Sequence, residues 1–161
     1  MSIWWSLHLR REAASVPLAR RLLLGTMETA GVDPDISYDL SLALSEACAN
    51  AVEHAGDTAQ GDSLGAYRVT AYLDGEKCRI EVADSGPGFP ASTASPTVAE
   101  PPRRPVPVAS VPYDSEHGRG LSLIEELADH VTIGNKPGRG GAVVSFDKML
   151  KWRKDAPLMA V

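Results

Sequence analysis

Cysteine is scarce in this sequence, with only Cys48 and Cys78 among 161 residues. Two isolated cysteines exclude a disulfide framework and a CxxC metal site. Acidic residues outnumber lysine and arginine, and the net charge of −5 argues against direct nucleic-acid binding and against a membrane-surface protein. No hydrophobic run is long enough for a signal peptide or a membrane span, so we expect a cytoplasmic protein with reduced thiols.

The sequence also lacks the two commonest nucleotide-binding loops. It has no GxxxxGK[ST] motif, and no GxGxxG opens a helix after a strand. The remaining composition is that of an ordinary globular protein, with 43% hydrophobic and 23% charged residues. The length suits one core, so we predict a single domain over residues 1–150 and a frayed C-terminal tail over 151–161.

Hydrophobic periodicity predicts the element order β-α-α-β-β-loop-α-β-β. Asp33 and Pro34 are expected to start the second helix, as a capping side chain and a first-turn proline. Asp74-Gly75 is a strong hairpin signal between the second and third strands. This order predicts an α+β fold, a two-layer sandwich with the helices on one face of a mixed or antiparallel sheet. The predicted helices are 15–30, 34 to about 55, and 118–130; the predicted strands are 3–10, 66–74, 77–84, 131–136 and 141–148.

Proline is concentrated in one segment of the chain. Eight of the 12 prolines lie between Pro87 and Pro112. Such a segment is expected neither to continue a sheet nor to form a helix. Because loops of this length inside a compact domain are usually lids or disordered insertions, we predict a long lid over about residues 86–116.

The second predicted helix carries Glu46, Asn50 and His54 at i, i+4 and i+8, so the three share one stripe of an otherwise apolar helix. A buried carboxylate is costly unless it is paired or bound. Two interpretations stay open: the stripe faces a ligand, or Glu46 and Asn50 face water on a single solvated strip. His54 is better explained as a cation at the negative end of the helix dipole.

Two glycine-containing turns follow predicted elements. In "VADSGPGFP", Asp84 ends a strand and precedes Gly86 and Gly88, which would let a flat ligand approach the backbone. The Asp84 carboxylate could then accept a hydrogen bond from an exocyclic amine. By itself, however, "DSG" is also a common turn.

The second turn, "HGRGLSL", sets Gly118, Arg119 and Gly120 at the start of a helix. Unpaired N–H groups and the helix dipole make such a helix end a site for phosphate. Arg119 could add a direct positive charge. Alone this signal is weak, since many helices begin with glycine.

The order of these motifs resembles the GHKL (Bergerat-fold) ATPases and, within them, the bacterial anti-sigma factor serine/threonine kinases. "EACANAVEH" is similar to the N box, "DSGPGF" to the G1 box, "HGRGLSL" to the G2 box and "GRGGAVV" to the last glycine motif. The resemblance spans roughly residues 3–148. The compact length, with no phospho-accepting histidine domain or transducer domain, fits the anti-sigma kinase branch.

The resemblance implies a Bergerat-type fold with a proline-rich ATP lid, and ATP and Mg²⁺ as cofactors. It implies that Asn50 binds Mg²⁺ and that Glu46 is the base that activates the attacking hydroxyl. Asp84 would recognise the adenine amine. The remaining glycine-box residues would shape the adenine floor (Gly86, Gly88) and hold the phosphates (Gly118, Arg119, Gly120).

The resemblance also implies the partners, a sigma factor and a STAS-type anti-anti-sigma factor whose serine or threonine receives the phosphate, and allows a homodimer. An alternative is a nucleotide-binding partner-switching module with little or no kinase activity. A third interpretation is a detached histidine-kinase catalytic domain, which would label a histidine on another protein. Glu46 and Asn50 favour the kinase, and the long lid favours the switching module.

Overall fold

A computed structural model describes residues 2–54, 66–84, 106–107, 116–135, 141–154 and 156. The predicted lid therefore lies outside the described residues except at positions 106–107 and 116, and Gly86 and Gly88 lie outside them as well. The same holds for the side chains of residues 54, 106–107, 116–120 and 135.

Three helices and six strands make up the described part of the chain. All five strand pairings are antiparallel, in the order β1-β2-β3-β6-β5-β4. The predicted α+β class is confirmed, and the sheet is antiparallel rather than mixed within the described strands. The elements are β1 (Ile3–Arg10), α1 (Ser15–Ala30), α2 (Pro34–His54), β2 (Ala66–Leu73), β3 (Lys77–Asp84), β4 (Val106–Pro107), α3 (Glu116–Leu127), β5 (His130–Asn135) and β6 (Ala142–Met149).

Local signals in the sequence set the boundary between α1 and α2. Gly31 adopts φ 90°, and the N–H groups of Gly31 and Val32 both donate to the Met27 carbonyl at 3.0 Å. Only glycine takes this left-handed backbone without steric cost. Asp33 then caps α2 as predicted, because its Oδ1 accepts a hydrogen bond from the Asp35 N–H at 2.8 Å.

The sheet buries the face that the alternating pattern predicts. Ala71, Ile80 and Phe146 are direct neighbours across β2, β3 and β6, and none is more than 2% exposed. The residues that alternate with these along each strand, such as Arg79 next to Ile80, point to the opposite face. The three helices therefore cover one face, with α2 packed between α1 and α3. No helix within the described ranges is both long and apolar enough to cross a membrane.

The proline-rich segment departs from the prediction at one place. Val106 and Pro107 form a two-residue strand that pairs with Ile133 and Thr132 of β5, so part of this segment does continue the sheet. Proline is tolerated at a sheet edge, where its missing N–H can face away from the ladder.

The C-terminal segment also departs from the prediction, since residues 151–154 are not frayed. Trp152 forms a β-bridge with Val32, next to the start of α2. The Arg153 guanidinium donates to the Glu28 carbonyl at 2.6 Å, in the last turn of α1. Cations are favoured at that end of a helix, where carbonyls lack partners. These tertiary contacts hold the segment against the domain.

Candidate functional site

Glu46 and Asn50 lie on one stripe of α2 and are both half-buried. On one side of the stripe the helix is fully buried, with Ala43 and Ala47 at most 1% exposed. No hydrogen bond or ion pair joins the side chain of either residue to another described residue. A half-buried carboxylate and amide that are not paired with protein can bind a ligand. The ligand-facing interpretation of this stripe stays a prediction.

Asp84 is the last residue of β3, and its side chain is only 7% exposed. Its Oδ1 accepts a hydrogen bond from the Ala142 N–H at 3.0 Å, so the first residue of β6 holds this carboxylate in place. A carboxylate that is fixed at a strand end and mostly shielded from water can discriminate a hydrogen-bond donor on a ligand.

The sheet register places the α2 stripe at the same end of the domain as Asp84. Tyr67 of β2 is the direct partner of Asp84 in β3, and its side chain lies beside that of Cys48 on α2. Cys48 lies between Glu46 and Asn50 in the chain. The sequence-predicted residues on α2 and β3 are therefore brought together at one level of the sandwich.

The Tyr67 hydroxyl belongs to a buried chain of hydrogen bonds that sequence reasoning missed. It lies 2.6 Å from the Ser15 hydroxyl, which itself donates to the Glu12 carbonyl at 2.6 Å. Because the Ser15 proton is used in that bond, the Tyr67 hydroxyl donates to Ser15. The alternating pattern of β2 predicts that the Tyr67 side chain points into the core, where its hydroxyl needs a hydrogen-bond partner, but this pattern does not identify the partner.

Burial keeps this chain neutral. Desolvation raises the pKa of Cys48 to about 12, and desolvation likewise raises the pKa of Tyr67 to about 12. Both groups are therefore protonated throughout the physiological range, and neither serves as a nucleophile or a base.

The structure corrects the start of the third helix. The α3 helix begins at Glu116, two residues earlier than predicted, so Gly118 lies in the first turn and Gly120 beyond it. Unpaired N–H groups occur only in the first turn of a helix. Gly118 is thus the residue of this box that is best placed to offer a backbone N–H to a phosphate. The helix packs directly against α2.

The described residues contain no group of three or more His, Cys, Asp and Glu side chains that could hold a metal ion by themselves. Mg²⁺ does not need such a group, because it commonly takes one or two protein oxygens and completes its octahedron with water and phosphate. The amide oxygen of Asn50, half-buried and without a described partner, is a suitable ligand of this kind.

Comparison with known proteins identifies the class of protein that this fold and site define. Residues 9–148 match the model of the histidine kinase-like ATPase domain. The chain therefore belongs to the histidine kinase-like ATPase family. This family is part of the GHKL superfamily that the sequence motifs resemble.

Its relatives narrow the assignment to one branch. The chain is 31% identical over 147 residues to the serine-protein kinase RsbW of Staphylococcus aureus, covering 86% of this chain and 82% of that one. The RsbW of S. aureus strain JH9 is 30% identical with the same coverage. Both exceed the similarity expected from a shared fold alone, so the chain falls in the anti-sigma kinase branch represented by RsbW.

A solved structure agrees with this fold. The RsbU and RsbW domains of Rv1364c from Mycobacterium tuberculosis superpose with a TM-score of 0.60 at 21% identity. The match covers 91% of this chain but only 33% of that longer protein. It supports the architecture alone.

Proposed function

We propose that this chain is an ATP-dependent protein serine/threonine kinase that transfers the γ-phosphate of ATP to a hydroxyl group on a partner protein. The observation that carries the proposal is the placement of the half-buried Glu46 and Asn50 at the same end of the sandwich as the buried Asp84. One end of this site suits a purine amine, and the other suits a metal-bound phosphate.

Each side chain has a role that its chemistry supports. Asp84 accepts a hydrogen bond from the exocyclic amine of adenine, while its contact with β6 keeps the carboxylate oriented. Glu46 accepts the proton of the attacking hydroxyl, which general-base catalysis requires to be within hydrogen-bond reach. Gly118 offers its N–H to the phosphates at the start of α3.

Asn50 is the residue that would hold Mg²⁺. When bound with the nucleotide, the ion neutralises phosphate charge, which is a main source of catalysis in phosphoryl transfer. Gly86, Gly88, Arg119 and Gly120 are proposed to complete the site, as the family motif implies.

The acceptor is proposed to be a serine or threonine of a STAS-type anti-anti-sigma factor, and the second partner a sigma factor that the kinase sequesters. We also propose that the protein acts in the cytoplasm as a homodimer. The negative net charge of −5 agrees with protein partners rather than nucleic acid.

The test is transfer of labelled phosphate from Mg-ATP to STAS-domain proteins encoded in the same genome. We expect a phosphoserine or phosphothreonine on one of them. Glu46→Gln should lower the transfer rate by about 10²–10⁴-fold, the usual contribution of a general base, with little change in ATP affinity. Glu53→Gln is the matched control, because Glu53 is an exposed carboxylate seven residues further along the same helix.

Three outcomes would contradict this proposal. Nucleotide-dependent partner binding without phosphate transfer would instead support a switching module. Label on a histidine would indicate a detached histidine-kinase catalytic domain. Equal rates for Glu46→Gln and the wild type would remove Glu46 from the chemistry.

A further inference from the structure

The open face of the sheet, which the described helices leave uncovered, carries large exposed apolar side chains. Along β1, β2 and β3 the residues that alternate with the buried ones point to this face. Trp4 and Tyr72 are among them, and they are 66% and 37% exposed. Met149 at the end of β6 is 56% exposed on the same face. A cluster of exposed apolar side chains on a folded protein commonly marks an interaction site.

The aromatic residues and an arginine form one row across the strands. Trp4 of β1 lies directly opposite Tyr72 of β2, and Tyr72 lies directly opposite Arg79 of β3. Since neighbouring strands are about 4.8 Å apart, the three side chains leave the sheet within about 10 Å of one another. Tryptophan, tyrosine and arginine are the residue types that most often dominate the binding energy of a protein interface.

Positive charge is concentrated on the same face. Among the described strand residues, the lysine and arginine side chains that point to it outnumber the carboxylates: Arg10, Arg68, Lys77 and Arg79 against Glu81 and Asp147. The chain as a whole has the opposite balance, with a net charge of −5. The open face is therefore a positive region on an acidic protein, and such a region attracts an acidic partner.

The arginine charges on this face are not neutralised by neighbouring carboxylates. Asp147 is the direct neighbour of Arg79 in β6, yet its Oδ1 is bonded to His130 Nδ1 at 2.8 Å. The Arg79 Nε–H donates instead to the Ser145 hydroxyl at 3.2 Å. No ion pair joins Arg79 or Arg68 to a carboxylate within the described ranges. A guanidinium held by a neutral group keeps its charge for a partner carboxylate.

We propose that the open face binds a partner protein through a segment in which acidic side chains surround an apolar one. The apolar side chain packs on Trp4 and Tyr72. The carboxylates pair with Arg79 and with Arg68, which lies four residues from Tyr72 along β2. The inference goes beyond the proposed kinase function, because the surface lies on the far side of the sheet from α2. Binding there requires neither nucleotide nor the Glu46 carboxylate.

Single-stranded nucleic acid is the other ligand that aromatic and arginine side chains on an open sheet can bind. The charge pattern favours a protein. Glu81 lies two residues from Arg79 on the same face, where it would repel a phosphate backbone. The net charge of −5 also opposes the approach of a polyanion, whereas a segment with a few carboxylates is repelled much less.

Peptide selection tests the chemistry of this partner directly. A phage-displayed library of random peptides of about twelve residues is first depleted on the Trp4→Ala/Arg79→Glu double variant and then selected on the wild-type chain. We expect the enriched peptides to carry two or more Asp or Glu residues near a leucine or an aromatic residue. Because both substituted side chains are exposed, the variant should unfold thermally like the wild type.

The affinity of a selected peptide is then measured by fluorescence anisotropy. Trp4→Ala and Arg79→Gln should each weaken binding at least about tenfold. Added NaCl should weaken it as well, because the charges are exposed to solvent. Two matched controls should bind like the wild type: Tyr38→Ala, at a 61% exposed aromatic residue of α2, and Lys154→Gln, at an exposed cation outside the sheet.

Four results would overturn the inference. These are no enrichment after the depletion step, enriched peptides that are basic or uncharged, an equal loss of affinity in the control variants, or tighter binding of a single-stranded oligouridine than of any selected peptide. If the peptides bind as expected while phosphate transfer is absent, the surface stands and only the proposed kinase function fails.

Discussion

Replacing Asp84 by asparagine tests the proposed contact with adenine. The two side chains have nearly the same shape, and the asparagine oxygen can keep the hydrogen bond that Ala142 N–H now donates to Oδ1 at 3.0 Å. The second carboxylate oxygen, however, becomes an NH₂ group. A donor would then face the exocyclic amine of adenine, which is itself a donor.

The expected loss follows from the burial of this group. Asp84 is 7% exposed, so water cannot readily replace the missing acceptor. Losing a charge-assisted hydrogen bond of this kind costs about 1–3 kcal/mol, which corresponds to a roughly five- to hundredfold weaker Kd. Calorimetric titration of ADP and ATP in the presence of magnesium measures this directly. Both nucleotides should be affected equally, because they share the adenine.

Asp129→Asn is the matched control for this experiment. Asp129 also accepts a backbone hydrogen bond from β6, from Met149 N–H at 2.6 Å, but at the opposite end of that strand. The variant should therefore share any general effect on β6 and leave nucleotide affinity unchanged. The reasoning is refuted if Asp84→Asn binds ATP like the wild type, or if both variants lose affinity to the same extent.

Two further predictions concern stability. Gly31→Ala should destabilise the fold by about 1–2 kcal/mol, because a residue with a Cβ is strained in the left-handed backbone conformation. Gly25→Ala should be neutral or stabilising, because Gly25 lies inside α1 with open space around it. Thermal unfolding measures both effects. Hydrogen bonds from the backbone N–H groups of Lys77 and Glu76 lower the pKa of Asp74 below 3.8. Asp74→Ala removes both hydrogen bonds, and because the site is exposed to solvent the loss near neutral pH should be at most about 1 kcal/mol. These hydrogen bonds stabilise the ionised carboxylate. The difference in stability between the wild type and Asp74→Ala should therefore shrink as the pH falls below 3.8 and the carboxylate is protonated.

The features that could be predicted from the sequence are those set by neighbouring residues. Gly31 ends α1 because it alone tolerates a positive φ there, and Asp33 caps α2 through a bond that spans two residues. The Asp74-Gly75 turn joins β2 to β3 by the same local logic. Such contacts are encoded within a few positions, so the element order follows from them, whereas the sequence left open a mixed or an antiparallel sheet.

What could not be predicted depends on contacts between distant parts of the chain. Pro107 is a poor strand residue by local rules, yet it lies at an edge where β5 offers a partner. Trp152 and Arg153 give no local signal of structure, and they are ordered by Val32 and by the end of α1. In each case tertiary packing overrides the local preference of the segment.

The candidate site shows the same division. Sequence spacing placed Glu46 and Asn50 on one stripe but left open whether that stripe met water or a ligand. The position of that stripe relative to Asp84 depends on Tyr67, which pairs with Asp84 across the sheet and lies beside Cys48 of α2. One buried hydroxyl thus relates the helix that carries the proposed base to the strand that ends in the proposed adenine carboxylate. Its partners lie 52 and 19 residues away in the chain, and no local pattern reports such a contact.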